Sequence, residues 1–277
     1  MVSMNKLTNE RRAQVIRQIV EGSSIRSTVR ITGVAKNTIV KLLHEIGVAC
    51  IKFQDETLRN LPCKKIQCDE IWSFCYAKDK NVPADKRGQF GYGDVWTWTA
   101  ICSDTKLIPS WTVGKRDAGT AFELMQDLSG RLAHRVQLTT DGHRAYLDAV
   151  ESAFGSNVDY AMLIKLYGND CENEARYSPS ECIGTRTIDV TGSPKREHIS
   201  TSHVERHNLT MRMSMKRFAR LTNAFSKKIE NHVSGLSLYF MYYNFCRVHQ
   251  TLRVTPAMEA GIADHVWNVE EIVALLD

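Results

Sequence analysis

One ordering of hydrophobic patterns constrains this chain more than any other feature. From about residue 65, strand-type alternation and helical periodicity succeed one another as strand, strand, strand, helix, strand, helix, strand, and then helices. Ile66, Cys68, Ile71 and Trp72 mark a first strand over 66–74. VWTWTAIC at 95–102 is dense in β-branched and aromatic residues, Ser103-Asp104-Thr105-Lys106 reads as a turn, and 107–113 returns as the partner strand. An amphipathic helix over 118–132, a strand over 136–140, a helix over 144–154 and a strand over 160–166 follow. Three antiparallel strands and then alternating helices and strands define a mixed α/β sheet of five strands. No glycine-rich phosphate loop follows any strand, which argues against a doubly wound nucleotide-binding sheet. Residues 167–199 show no period and read as a long loop or insertion within a domain spanning 65–250, and 251–277 read as a C-terminal tail.

The first 50 residues have a different character. Helical spacing predicts helices over 7–22, 24–31 and 38–46, with Gly33 at the centre of a tight turn, Asn37 or Thr38 as a cap and Gly47 as a stop. Two short helices joined by a glycine-bearing turn make an all-α helix-turn-helix domain over 1–50, though an ordinary three-helix packing unit also fits. Lys36, Asn37, Thr38 and Lys41 fall at the leading edge of its last helix, suited to phosphates and base edges in a major groove. Residues 51–64 read as a linker.

Charge supports the same partner. Residues 1–53 hold nine Lys and Arg against three Glu, and residues 195–228 hold nine against two, although the whole chain is only +5. Two basic segments around an acidic middle are the footprint of a phosphate backbone, here double-stranded DNA. A basic helix expected over 201–222 carries Arg206, Asn208, Arg212, Lys216, Arg217 and Arg220, with Glu205, Asn208, Arg212 and Lys216 on roughly one face. The apolar helix expected over 229–246 is too short to span a bilayer, and the amino terminus has no apolar signal core. Eight cysteines without a C-x-x-C pair fit reduced thiols, so a cytoplasmic, nucleoid-associated protein is expected.

Three acids stand where a metal site would need them. Asp69 lies among apolar strand residues, where an ion is costly unless paired or metal-bound. Asp141 follows the 136–140 strand directly, beside Gly142. Glu205 is nearly alone among bases. Taken singly, each also suits a plain role: a strand-edge ion pair, a helix cap, or a partner of Arg206 or Arg212. Together they suit phosphodiester cleavage, in which two hard cations polarise the attacking oxygen and stabilise the leaving one. Carboxylates without a Cys or His cluster select Mg²⁺ or Mn²⁺. Alternation places Glu70 on the opposite face from Asp69.

The motifs CDEIWSF around Asp69, VGKRDAGTAFELMQDL, TTDGHRAY around Asp141 and SHVERHNLTMRMSMKRFARLTNAFSK around Glu205, with YYNFCRVHQTLRVTPA near the end, together resemble insertion-sequence transposases. The resemblance is to the Asp-Asp-Glu superfamily, most closely the insertion sequence one type, over about residues 60–260. It implies an RNase H-like catalytic domain, whose element order matches that read above. It also implies metal ligation and catalysis by Asp69, Asp141 and Glu205 with two ions, cleavage at element ends and strand transfer into target DNA. A dimer or larger synaptic homo-oligomer is expected from the same likeness. Two other functions share the fold and the basic surfaces: a DNA-binding regulator with a silent site, and a structure-selective nuclease that cuts without joining.

Overall fold

The computed structural model describes residues 6–168, 182–219 and 223–277. Three helices open the chain: α1 (Asn9–Val20), α2 (Ile25–Thr32) and α3 (Lys36–Thr57). Thr8 and Ser24 cap the first two through their side chains, and Gly33 closes α2 in the left-handed conformation that glycine adopts without strain. The third helix begins at Lys36, two residues earlier than expected, and its N-cap, Ala35, makes no side-chain cap bond. Asn37 and Thr38 therefore lie inside its first turn.

The expected stop at Gly47 and linker over 51–64 are corrected, because α3 continues without a break to Thr57. Gly47 serves packing. A Cβ there would come within 2.5 Å of Ser234 Cβ on α7 (Ile229–Met241). The missing side chain lets the two helices close, and the Ser237 hydroxyl and the Gly47 carbonyl share a 2.9 Å hydrogen bond across the contact. Ile16, Ile39 and Ile46 consequently belong to the same buried cluster as sheet residues Ile66, Leu138 and Tyr160.

The sheet has six strands, not five: β1 (Lys65–Cys75), β2 (Gly93–Cys102), β3 (Ser110–Gly114), β4 (Val136–Thr140), β5 (Val158–Tyr167) and β6 (Cys182–Thr191). Their order is β3-β2-β1-β4-β5-β6. The first three are antiparallel neighbours, β4 is parallel to β1 and to β5, and β6 pairs antiparallel with β5. The sixth strand lies within the stretch read as a loop. Its residues are exposed or half-exposed at the sheet edge, so no burial pattern marks it in sequence. The expected insertion also includes 169–181, outside the described residues.

Helices α4 (Ala118–Ser129) and α5 (Ala145–Phe154) cover one face. On the other lie α6 (Ser202–Ser214) and α7, which share a second buried cluster through Val204, Met211, Leu236 and Phe240. The long helix expected over 201–222 ends at Ser214. Met215 is extended, and a short 3-10 turn over Lys216–Phe218 carries Met215 and Phe218 back into that cluster, which a straight helix would not allow. A π turn over Tyr242–Cys246 extends α7, followed by α8 (Pro256–Glu259) and α9 (Val269–Ala274). The tail docks: Val269, Ile272 and Val273 are buried, and Arg12 and Arg17 of α1 meet Asp277 and Glu270. No described helix is long and apolar enough to cross a membrane.

Candidate metal centre

The site begins where β4 stops. Pairing of β1 with β4 runs to Cys68 opposite Thr140, so Asp69 and Asp141 emerge side by side from two parallel neighbours. Beyond that point β1 runs on without β4, and on this flank its end is bridged at Cys75 by Ser226. Carboxylate oxygens of Asp69, Glu70 and Asp141 all lie within 4.8 Å of one another.

This corrects the reading of Glu70. Alternation does send its side chain to the α5 face, where Tyr146 OH donates to it at 3.1 Å. The open flank left by β4 nevertheless brings the long Glu70 side chain beside Asp141. Arg116, in the segment between β3 and α4, donates from Nε to Glu70 at 2.6 Å and lies 3.8 Å from Asp141. Its guanidinium also sits 5.0 Å over the Trp96 ring. Arg116 was visible in sequence only as part of a quoted motif.

Asp69 is fixed by two hydrogen bonds. Its Oδ1 accepts from Glu70 N at 2.9 Å and its Oδ2 from Asn208 Nδ2 at 2.8 Å. Burial, then the negative charges of Glu70 and Asp141, and further off Glu205, push its carboxyl up to about 7. Glu70 is raised as well, by burial and Asp141, against its bonds to Arg116 and Tyr146. Asp141 accepts the His143 amide at 2.9 Å, an Asx-type turn beside Gly142.

Glu205 stands apart from the group of three. Its Oε2 meets Lys165 Nζ of β5 at 2.5 Å, and its Oε1 accepts from Thr201 Oγ1 at 2.6 Å. Lys165 is a lone charge in the apolar run AMLIKLY, the same signal that singled out Asp69. The start of α6 has no side-chain cap of its own. Gln67 of β1, two residues before Asp69 and on the same face, accepts from the amides of His203 and Val204 at 2.8 and 3.2 Å. Two helical donors that would otherwise be buried unpaired tie α6 to β1. That tie sets Glu205 and Asn208 against the acidic end.

The residues present suit divalent cations. All four side chains at the acidic end and on α6 offer hard oxygen donors, and Asn208 Oδ1 is buried there without a partner among the described residues. Burial first, and then neighbouring negative charge, raise Asp69 and Glu70, and a cation would relieve the charge part of that.

The other expected site residues divide by exposure. Lys36, Asn37 and Lys41 are exposed on α3 and Thr38 is half-buried, with Lys41 3.8 Å from Glu45. Arg206 and Lys216 are exposed and Arg212 is half-buried. Asn208 is turned inward onto Asp69. Arg217 also points inward, donating to the Asn231 carbonyl at 2.5 Å and lying against Gly235, where a side chain would collide with it. Burial lowers its guanidinium to about 10. Arg220 lies outside the described residues. His207, flanking Glu205, is buried against Tyr239, Phe240 and Tyr243.

No family model and no curated protein matches this chain. Among solved structures it is similar to the piggyBac transposase synaptic complex with hairpin DNA, at TM-score 0.38 and 12% identity over 100% of this chain and 72% of that one. It is also similar to the Mos1 transposase paired-end complex with left transposon end, at TM-score 0.23 and 11% identity over 58% of this chain and 60% of that one. The Mos1 strand transfer complex aligns at TM-score 0.25 and 10% identity over 87% of this chain and 77% of that one.

Proposed function

We propose that the chain is a DNA transposase of the Asp-Asp-Glu kind, with an RNase H-like catalytic sheet and a helix-turn-helix in α2 and α3. The observation that carries this reading is the meeting of Asp69 and Asp141 at the ends of parallel strands, with Glu70 beside them and Glu205 presented from α6. The motif contexts of these acids, the β-β-β-α-β-α-β order and the two basic segments support it.

Asp69, Asp141 and Glu205 would hold two Mg²⁺ or Mn²⁺ ions. When bound, such ions polarise an attacking oxygen and stabilise a leaving one. The chain's own residues do the rest. Asn208 orients Asp69, Gln67 holds α6 in place, and Arg116 offsets part of the acidic charge. Water attacks the phosphodiester at an element end and a P–O bond breaks, releasing a 3′-hydroxyl. That hydroxyl attacks a target phosphodiester and expels a second 3′-oxygen, without a covalent enzyme intermediate. Exposed Lys36, Asn37 and Lys41 on α3 would meet one duplex, and Arg206, Arg212 and Lys216 would follow the strand at the site. A dimer or larger assembly would hold two ends together.

The test uses duplexes from the DNA flanking this gene. The protein should nick them and join the freed ends to a target plasmid in Mg²⁺ or Mn²⁺, and Asp141→Ala should bind DNA but do neither. Full cleavage by Asp141→Ala overturns the assignment. Cutting without joining would favour a structure-selective nuclease, and binding without cutting a regulator.

The closed arrangement of Glu205 with Lys165 and Thr201 favours one variant of this reading, in which Glu70 is the third ligand. Cleavage retained by Glu205→Gln and lost in Glu70→Gln would select it.

A further inference from the structure

The loop over 76–92, between β1 and β2, holds none of the carboxylates, yet it closes a cavity beside them. The cavity encloses about 250 Å³, and its walls include Asp79, Phe90, Asp94, Trp96, Lys115 and Arg116. That volume suits one flat ring system, since sites for drug-sized ligands begin at about 300 Å³. Arg116 joins the cavity to the acidic end. Its Nε donates to Glu70 at 2.6 Å and its guanidinium lies 3.8 Å from Asp141, while the same group sits 5.0 Å over the Trp96 ring. A phosphodiester at the acids therefore has this opening one side chain away.

The walls are held in place. Tyr76 has φ +67, in the left-handed region that a tyrosine seldom adopts. Its ring meets Tyr92 edge-on at 5.1 Å, and Lys86 Nζ lies 4.6 and 5.2 Å from the two ring centroids. Gly91, at φ +90, lets the loop close on α7, where a Cβ would come within 2.9 Å of Ile229. Trp98 Nε1 donates to the Lys115 carbonyl at 3.0 Å and fixes the opposite wall. Amid these fixed points Phe90 stays 51% exposed, and among the described residues its ring meets no other ring or cation. A single exposed ring is ordinary on a surface. On the wall of a cavity that already holds a tryptophan and an arginine, it is a stacking platform. Asp79 and Asp94 offset Lys115 and Arg116, so the cavity has no excess of positive charge for a phosphate. It suits an uncharged planar group with polar edges. A nucleobase is such a group: its faces stack on aromatic rings, and its edges both donate and accept.

We propose that this cavity is a base slot, which takes one unpaired base of the DNA strand whose phosphodiester lies at the carboxylates and stacks it on Phe90. Naming DNA as the source of the base rests on the transposase reading; the preference for a base does not. A base that is already unpaired enters at least cost. Once seated, it would hold the strand out of the helical stack and fix its backbone beside Arg116 and the acids.

Two measurements on the full chain test this. The first follows tryptophan indole ¹H–¹⁵N resonances during titration with deoxyadenosine monophosphate, against deoxyribose 5-phosphate, which carries the phosphate without the base. The Trp96 signal, assigned with Trp96→Phe, should shift with the nucleotide alone. Phe90→Tyr should keep the shift, and Phe90→Ala should weaken nucleotide binding at least about fivefold. The second compares, by fluorescence anisotropy, a duplex ending in one unpaired nucleotide with a fully paired one. The wild-type protein should favour the unpaired end, and Phe90→Ala should erase that preference. An equal response to nucleotide and sugar phosphate, or nucleotide binding unaltered in Phe90→Ala, overturns the slot. Base-dependent shifts without a preference between the duplexes overturn the DNA strand as the occupant and leave a free nucleotide. A wild-type protein that binds neither duplex defeats the transposase reading, while the nucleotide titration still decides the slot.

Discussion

At the ends of β1 and β4 three carboxylates face one another with Arg116 reaching only two of them, whereas at the junction of β5 and α6 one carboxylate meets one ammonium. At the first corner burial and neighbouring negative charge raise Asp69 and Glu70. The second is balanced and partly open to water. The difference teaches where a cation is wanted. Repulsion only partly offset by Arg116 makes the acidic end a stronger candidate metal site than the presence of acids alone would, whereas at the balanced corner an arriving ion would compete with Lys165.

The largest effect that could break this contrast is on catalysis. Asp141→Ala should reduce metal-dependent cleavage by at least about a hundredfold, measured on labelled duplexes, with binding unchanged by anisotropy. An equal loss in Glu205→Ala would show that the balanced corner is also required.

Stability against pH comes next. The Asp69 carboxyl is raised to about 7 in the fold, above its unfolded value near 4. Its protonated form is therefore favoured by folding. This contribution is fully present below about pH 4 and is lost as pH rises through 7, in the absence of divalent ions. At about 1.4 kcal/mol per unit, the loss is on the order of 2–4 kcal/mol. Asp69→Asn should flatten this fall and raise metal-free Tm at pH 8, and Mn²⁺ should restore the wild-type protein but not the variant. A wild-type Tm indifferent to pH between 5 and 8 would show that the repulsion is relieved by other means.

Gln67→Ala sharpens the comparison, because it loosens the connection between the two corners. Leaving two buried amides unpaired should cost about 1–3 kcal/mol by denaturant unfolding, with Mn²⁺ affinity at the acidic end retained. Lys165→Met should have the smallest effect on stability, under about 1 kcal/mol for a partly exposed pair. It should nevertheless tighten Mn²⁺ binding measured by electron paramagnetic resonance. Unchanged affinity would mean that the lysine does not compete for Glu205.

The sequence exposed those parts of the molecule whose signals are local. Strand β4 ends at Thr140 as its apolar run predicts, and β1, α4, α5 and α7 fall within a few residues of the periodic stretches that marked them. Asp69 and Asp141 stood out because a charge in or beside an apolar strand needs a reason. What escaped was set by contacts between distant segments. Gly47 looked like a stop because nothing nearby shows Ser234 waiting against it. Strand β6 carries no buried face to pattern. Glu70 joined the acids because β4 stops short of β1, a difference in strand length that alternation does not express. Arg217 and Asn208 read as surface residues of a basic helix, whereas the turn after Ser214 and the proximity of Asp69 draw them inward.

The unbroken α3 has a mechanical corollary. Its 22 residues form a rod about 33 Å long, and its far half is bolted to α7, which shares a buried cluster with the helix bearing Glu205. The end of the rod that carries Lys36, Asn37 and Lys41 is thereby held in place relative to α7. Inserting a single residue midway along that rod would turn that end by about 100° relative to α7.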